Sequence, residues 1–481
     1  MHALKRTINT KELPIKVMQF GGGNFLRAFV DWMIDILNEE ANFNGGIAII
    51  KPTERGDYAQ LKSQDGLFTV VLDGIKNGAL ISEKRLVTAV QKVINPNIEW
   101  SAYLALAKNK ELRFIVSNTT EAGIKFNAED TFDDSPPKEF PAKLTVWLHH
   151  RFQHFGNDPT KGCIFLPCEL IEDNGATLKD CILRYAAHWN LPSDFTNWIN
   201  TSNFFCNTLV DRIVSGYPDD RAAEIEAELD YKDELLVAGE QYHSWIIQGP
   251  EIVQKELPFA KTALNVQFVQ NLIPHREMKV RILNGAHTAM VPVAYLAGIR
   301  LVGEAMKNTE LSHFVASLLS EEASKTLDFS DAIKKTYVAD VLDRFRNPLI
   351  KHQLISISLN STSKFVTRLL PTLKDFYSRY QKLPQHIVFS LAALILFYKG
   401  ESDGTPIDLK DDQTVLDFFA ESYQALEKQK ITLNEMVVSI LGHSALWGED
   451  LSLLPGLAEM VREHITAIQN DGIRRCLKKI N

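Results

Sequence analysis

This chain of 481 residues has little cysteine, no long apolar run and no surplus of positive charge, and each shortage closes a class of function. Its five cysteines (Cys163, Cys168, Cys181, Cys206 and Cys476) are odd in number and form no Cys-x-x-Cys pair. They read as free thiols of a reducing compartment, not as a disulfide framework. No His-Glu-x-x-His and no Cys/His cluster with ligand spacing occurs, so the expectation is a site without metal. No stretch reaches 18 apolar residues, and the apolar run over 387–398 is too short to span a bilayer. Residues 1–6 carry charges with no apolar segment behind them. The reading is a cytoplasmic protein with no membrane partner. With 52 Lys+Arg against 60 Asp+Glu the net charge is −8, which argues against nucleic acid as a partner. Internal repeats and low-complexity tracts are absent too. These exclusions point to small-molecule chemistry with an organic cofactor.

The patterning that is present divides the chain in two. Residues Ile15–Phe20 read as a short buried strand running into Gly21-Gly22-Gly23-Asn24-Phe25-Leu26-Arg27-Ala28-Phe29. Val30, Met33, Ile34, Ile36 and Leu37 then recur at helical spacing. A second strand over Gly46–Ile50 completes a βαβ unit. Further strands are expected over 68–72, 113–117 and 162–167 with helices between them, an alternation that predicts a parallel sheet flanked by helices. Beyond about residue 250 the texture changes. Gly249-Pro250 and 271–275 look like connectors. The stretches 284–299, 309–320, 331–344, 362–379, 383–398, 412–428, 431–446 and 455–469 carry amphipathic helical pattern. The expected organisation is an α/β domain over 1–250 and a mainly α-helical domain over 251–481.

Glycines at 21 and 23 suit a turn that brings backbone close to a pyrophosphate, with the charge over the start of the next helix at Asn24 and Phe25. Leu26 stands where a third glycine is usual, and Arg27 can add a cation for phosphate. An acidic residue for the ribose of NAD should end the second strand. Lys51-Pro52-Thr53-Glu54-Arg55 offers only Glu54, and its two basic residues leave NADP open. Asn118, Thr119 and Glu121 follow a strand where a doubly wound sheet meets its ligand, and there they can bond ribose or pyrophosphate or simply form a capped turn. Asn174-Gly175 reads either as a turn or as an amide aimed at a substrate.

The segment Lys279-Val280-Arg281-Ile282-Leu283-Asn284-Gly285-Ala286-His287 places three polar groups at the head of an apolar helix. At about 100° per residue, Asn284 lies roughly 140° and His287 roughly 80° around the axis from Lys279, so all three can serve one site. A half-buried lysine can pass a proton to a carbonyl oxygen, while an amide and an imidazole donate to it. The plainer alternative is a capping asparagine, a core histidine and a snorkelling lysine. Arg344, Arg346, Lys351 and His352 form a cationic cluster that is either a solvated face or a seat for a substrate carboxylate, with Arg346, Lys351 and His352 the candidates.

On these residues the chain resembles the polyol-specific long-chain dehydrogenases, the mannitol dehydrogenase family. The marks are Gly-x-Gly-Asn-Phe-x-Arg-Ala, matched by Gly21 to Ala28, and Lys-x-x-x-x-Asn-x-x-His, matched by Lys279, Asn284 and His287. The resemblance implies a Rossmann-type N-terminal domain, a mainly helical C-terminal domain, NAD as cofactor and metal-independent hydride transfer. It makes Lys279 the acid/base, Asn174 and Asn284 an oxyanion-stabilising pair, and His287 a ligand of a substrate oxygen. Glu169-Leu170 replaces the Asp-Asn common in mannitol dehydrogenases, which weakens a polyol reading and leaves the uronate one intact. The partner that the resemblance implies is a small uronate or aldonate, the pair D-tagaturonate and D-altronate. Fructuronate, a polyol such as mannitol or arabinitol, and a non-catalytic NAD-binding sensor remain the alternatives.

Overall fold

The computed structural model describes residues 2–6, 11–54, 56, 58–76, 79–120, 122–402 and 404–480. Six strands form one sheet in the spatial order Val90–Ile94, Gly46–Ile50, Ile15–Phe20, Phe114–Ser117, Ile164–Pro167 and Phe204–Phe205, and every pairing is parallel. Numbered along the chain this is the 3-2-1-4-5-6 order of a dinucleotide-binding sheet, whose switch point lies between the first strand and the fourth. The two-residue period decides which face each side chain covers. Val17, Ile47, Ile49, Val116 and Leu166 enter one core, and Met18, Phe20, Ala48, Ile50, Ile115 and Phe165 enter the other.

Two details differ from the sequence reading. The strand expected over 68–72 exists as Phe68–Lys76, but it belongs to a separate four-stranded sheet, pairing in parallel with Val237–Glu240. The third strand of the parallel sheet is Val90–Ile94, which the apolar pattern does not reveal because Gln91, Lys92 and Val93 are not fully buried on this edge strand and interrupt that pattern. The domain boundary also moves. The first compact unit runs to Gly74 and from Ala79 to Leu272, and the second takes up from Ile273. Gly249-Pro250 is only a turn inside the first unit, because the strand Val266–Val269 beyond it pairs with Ser244–Gln248.

The second unit is built of helices around one apolar core. At its centre, Gln385–Phe397 is buried from His386 onward, which explains the apolar run without a membrane. Glu322 fixes the start of this helix by accepting from the backbone N–H groups of His386 (2.7 Å) and Ile387 (3.0 Å). Gly285–Leu296 packs beside it, with the Ser390 hydroxyl donating to the Ala289 carbonyl at 3.0 Å. Among the described residues no helix is long and apolar enough to cross a membrane.

Candidate active site

In the first unit the glycine turn lies where the strand order reverses. Gly21 has φ +117°, and a Cβ there would stand 3.1 Å from the Asn118 carbonyl oxygen and 3.2 Å from Leu26 Cδ1. Only glycine fits both the backbone and the space. The Gly22 N–H donates to the Tyr58 hydroxyl at 2.7 Å, whereas a Cβ on Gly23 would meet nothing within 4 Å. The turn is thus held from beneath and open at Gly23, where the helical run from Asn24 begins. Leu26, in place of a third glycine, is buried and fills the inside of the turn. These features fit a pyrophosphate over the N–H groups of Gly23, Asn24 and Phe25.

Arg27 does not reach for phosphate. It is buried, donates to the Leu235 carbonyl and, at 2.6 Å, to Asn24 Oδ1, and lies 5.2 Å from the Phe68 ring centre. Its role is to orient Asn24. Lys51 is likewise committed, its ammonium donating to the Glu54 carbonyl at 2.9 Å, which leaves the Glu54 side chain exposed at the strand end. Arg55 lies outside the described residues.

Below this turn the helical run widens by one residue over Arg27–Asp31, and Asp31 is fully buried. Burial pushes its carboxyl up to about 8, against the pull of Gln19 and Arg27. The folded value lies above the unfolded one, so the native state binds the extra proton. The stability Asp31 contributes is complete below about pH 4 and is lost as pH rises to about 8. Asp31→Asn removes that slope. Melting curves from pH 5 to pH 9 are expected to show the variant gaining on the wild type by on the order of 1 kcal/mol per pH unit until about pH 8; parallel curves would place the proton elsewhere.

After the fourth strand, Ser117, Asn118 and Thr119 turn around a buried carboxylate that sequence reasoning valued only as a family difference. Glu169 accepts from the Ser117 hydroxyl (3.0 Å), the Thr119 N–H (2.9 Å) and the Thr119 hydroxyl (3.0 Å). Burial raises its carboxyl, and these donors pull it back. Asn118 donates to the Cys168 carbonyl at 3.4 Å, and Thr120 is held at φ +123°, which a β-branched residue rarely adopts. Glu121 lies outside the described residues. Asn174 is spent locally as well. Its Nδ2 donates to the carbonyls of Pro167, Glu169 and Thr208 at 3.0–3.1 Å, and its Oδ1 accepts from the Gly175 and Thr208 N–H groups at 2.9 Å. That geometry makes it a brace of the loop after the fifth strand. An oxyanion donor would have to break it.

In the second unit the Lys279 segment is not a helix head. Helix continues from Ile273 to Leu296, and Lys279–Asn284 forms a wide π-helical turn in its middle. Such turns recur at functional sites because the extra residue redirects side chains. Asn284 is helical itself (φ −72°, ψ −35°) and caps nothing through its side chain. It is half-buried, and its amide bonds no group among the described residues, in contrast to Asn174. Lys279 is also half-buried. On the turn's outer side Arg281 is held by Asp375 and by the Thr326 hydroxyl at 3.2 Å.

His287 lies one turn further on, 8% exposed, stacked on Phe345 at 4.2 Å and edge-on to His352 at 5.2 Å. Its Nε2 is buried with no hydrogen-bond partner among the described residues. Burial holds the imidazole well below its usual range, helped by His352, Arg344, Arg368 and Lys364. It is therefore neutral at physiological pH, able to donate or accept without charge. Of the carboxylate candidates only His352 reaches this group. Arg346 is exposed and paired with Asp343 at 3.3 Å, and Lys351 is exposed. The cations gathered here come instead from the inner face of Asp331–Arg346 and from the helix Ser361–Arg368, a meeting that tertiary packing creates and chain proximity does not announce.

Two family models match the chain: the mannitol dehydrogenase Rossmann domain over residues 15–261 and the mannitol dehydrogenase C-terminal domain over residues 271–469. Altronate oxidoreductase of Yersinia enterocolitica serotype O:8 is 46% identical over 475 residues, covering 98% of each chain. That of Bacillus subtilis strain 168 is 44% identical over 468 residues, covering 97% of this chain and 95% of the other. Two solved structures share the fold. Pseudomonas fluorescens mannitol 2-dehydrogenase, in a ternary complex with NAD and D-mannitol, has a TM-score of 0.69 at 20% identity, covering 98% of this chain and 94% of the other. A substrate-free D-sorbitol dehydrogenase has a TM-score of 0.79 at 19% identity, covering 99% and 97%. In both its domains, then, this chain belongs to the mannitol dehydrogenase family and is an oxidoreductase.

Proposed function

We propose that the chain interconverts D-tagaturonate and D-altronate with NAD, by metal-independent hydride transfer. The observation that carries this reading is its likeness, along nearly its whole length, to altronate oxidoreductases. Lys279, Asn284 and His287 on one continuous helix support it.

The N–H groups that follow Gly21 would hold the pyrophosphate of the cofactor, and Thr119 and Asn118, on the loop after the fourth strand, would border it. Exposed Glu54 would meet the ribose hydroxyls, and Lys51, tied to a carbonyl, would be withheld from a 2′-phosphate, which favours NADH over NADPH. NADH, when bound, supplies the hydride that reduces the ketone carbon. Lys279 gives its proton to the carbonyl oxygen as charge builds there, and takes it back in the oxidation of altronate. The Asn284 amide donates to the same oxygen. Neutral His287 bonds an adjacent hydroxyl through Nε2 and so fixes which face of the ketone is presented.

The test follows loss of NADH absorbance, and separately of NADPH, with tagaturonate, fructuronate and fructose in parallel. Rapid NADH oxidation with tagaturonate alone is the expected result. Preference for fructuronate or fructose would overturn the substrate while leaving the chemistry, and silence with all three would leave a nucleotide-binding protein without catalysis.

A further inference from the structure

We propose that Arg368 is the residue that grips the substrate's carboxylate and so separates sugar acids from neutral sugars; the inference rests on the hexuronate reading above. Arg368 ends the helix Ser361–Arg368, and its backbone comes against the wide turn: a Cβ on Gly285 would stand 3.5 Å from the Arg368 carbonyl oxygen. Its Nη1 donates to the Thr288 hydroxyl at 3.3 Å, and that hydroxyl in turn donates to the Asn284 carbonyl at 3.0 Å. The guanidinium is thereby fixed beside the residues that follow Asn284, within the electrostatic reach of His287.

Its charge is otherwise unanswered. Among the described residues no carboxylate pairs with Arg368, although it is half-buried, and burial lowers its basicity. Lys364 lies one turn back on the same face, so two like charges stand at i and i+4, an arrangement that weakens a helix unless an anion sits between them. The Lys364 ammonium is already tied to the Ile357 carbonyl at 2.7 Å and has Asp411 nearby. Arg344, the other cation near His287, has Asp340 near it. Arg368 alone combines burial, a fixed orientation and a fork of free donors, which is the geometry that takes a carboxylate bidentately.

The test compares the wild type with Arg368→Met and Arg368→Lys, using NADH with tagaturonate, fructuronate and the neutral ketoses that carry a hydroxymethyl group in place of the carboxylate. Arg368→Met is expected to raise KM for the uronate by about two orders of magnitude, with kcat changed far less. The ratio of uronate to ketose kcat/KM should fall with it, and Arg368→Lys should recover part of the loss. Without ligand the methionine variant should melt no lower than the wild type, since a half-buried charge with no carboxylate partner has been removed, and altronate should raise the melting temperature of the wild type only. Equal losses on charged and neutral sugars, or a lowered unliganded melting temperature with unchanged uronate KM, would overturn the assignment. A wild type that reduces neutral ketoses and neither uronate would overturn the hexuronate reading first, and this proposal with it. A wild type that prefers fructuronate would move the substrate, and the same KM comparison would then decide Arg368.

Discussion

Lys279→Ala should lower kcat/KM for tagaturonate reduction by at least the 10²–10⁴-fold that a positioned general acid supplies, and by more where the ammonium also orients the ketone. The loss should fall on kcat, because the carboxylate contact and the hydroxyl contacts are made by other groups. NADH affinity, read by fluorescence titration, should stay near the wild-type value, since every group proposed for the nucleotide lies between Gly21 and Thr119. Lys279→Arg should rescue little: a guanidinium keeps the charge but does not release its proton near neutral pH. Small primary amines added to Lys279→Ala should restore part of the rate, because they carry the missing acid into the space the side chain vacates. An alanine variant within about tenfold of wild-type turnover would remove Lys279 from the chemistry and leave Asn284 and His287 as binding groups only.

Much of the architecture was legible because it rests on local rules. The strand Ile15–Phe20, the glycine turn and the helix after it follow from apolar runs and from a backbone that only Gly21 can adopt. The helical half was legible from its periodicity. The eight stretches read from sequence recur as helices, two of them split: 362–379 at Leu369, where φ widens to −114°, and 431–446 between Leu433–Leu441 and Ser444–Trp447. What escaped depends on contacts between distant segments. The wide turn at Lys279–Asn284 has no sequence signal, so a polar trio that looked like a helix head sits mid-helix. Arg27 and Asn174 match family marks in type and place, yet their side chains are consumed by the carbonyls of Leu235, Pro167 and Thr208, partners 7 to 208 residues away. Arg346 and Lys351 belong to one cationic cluster in the chain with His352, whereas Arg368 reaches the site from another helix. Residue type showed what chemistry was on offer, and only packing showed which groups were still free to perform it.

That distinction makes Asn174→Ala the most informative change in the first unit. The side chain is 1% exposed and makes five hydrogen bonds, all to backbone groups: those of Pro167 at the end of the fifth strand, Glu169 in the loop after it, Gly175 at the start of the next helix, and Thr208 in the strand Asn207–Asp211. Alanine leaves several buried carbonyl and N–H groups without partners. At about 1–3 kcal/mol for each buried group left unsatisfied, and with some relaxation, a loss of about 3–5 kcal/mol is expected. In a unit of this size that is a fall of about 10 °C in melting temperature. Asn174→Asp should fare no better, because it loses both donors and buries a charge beside three carbonyls. An oxyanion donor behaves otherwise: its loss costs about 10²–10³ in kcat and leaves the melting temperature in place. Thermal melting and kcat measured on the same preparations separate the two. A large fall in melting temperature, with the folded fraction retaining kcat within about tenfold, makes Asn174 the brace of the loop that carries Glu169 and leaves the developing oxyanion to Lys279 and Asn284. Native melting with kcat lost would mean that these backbone bonds open when substrate binds and that the amide then turns to the reacting oxygen.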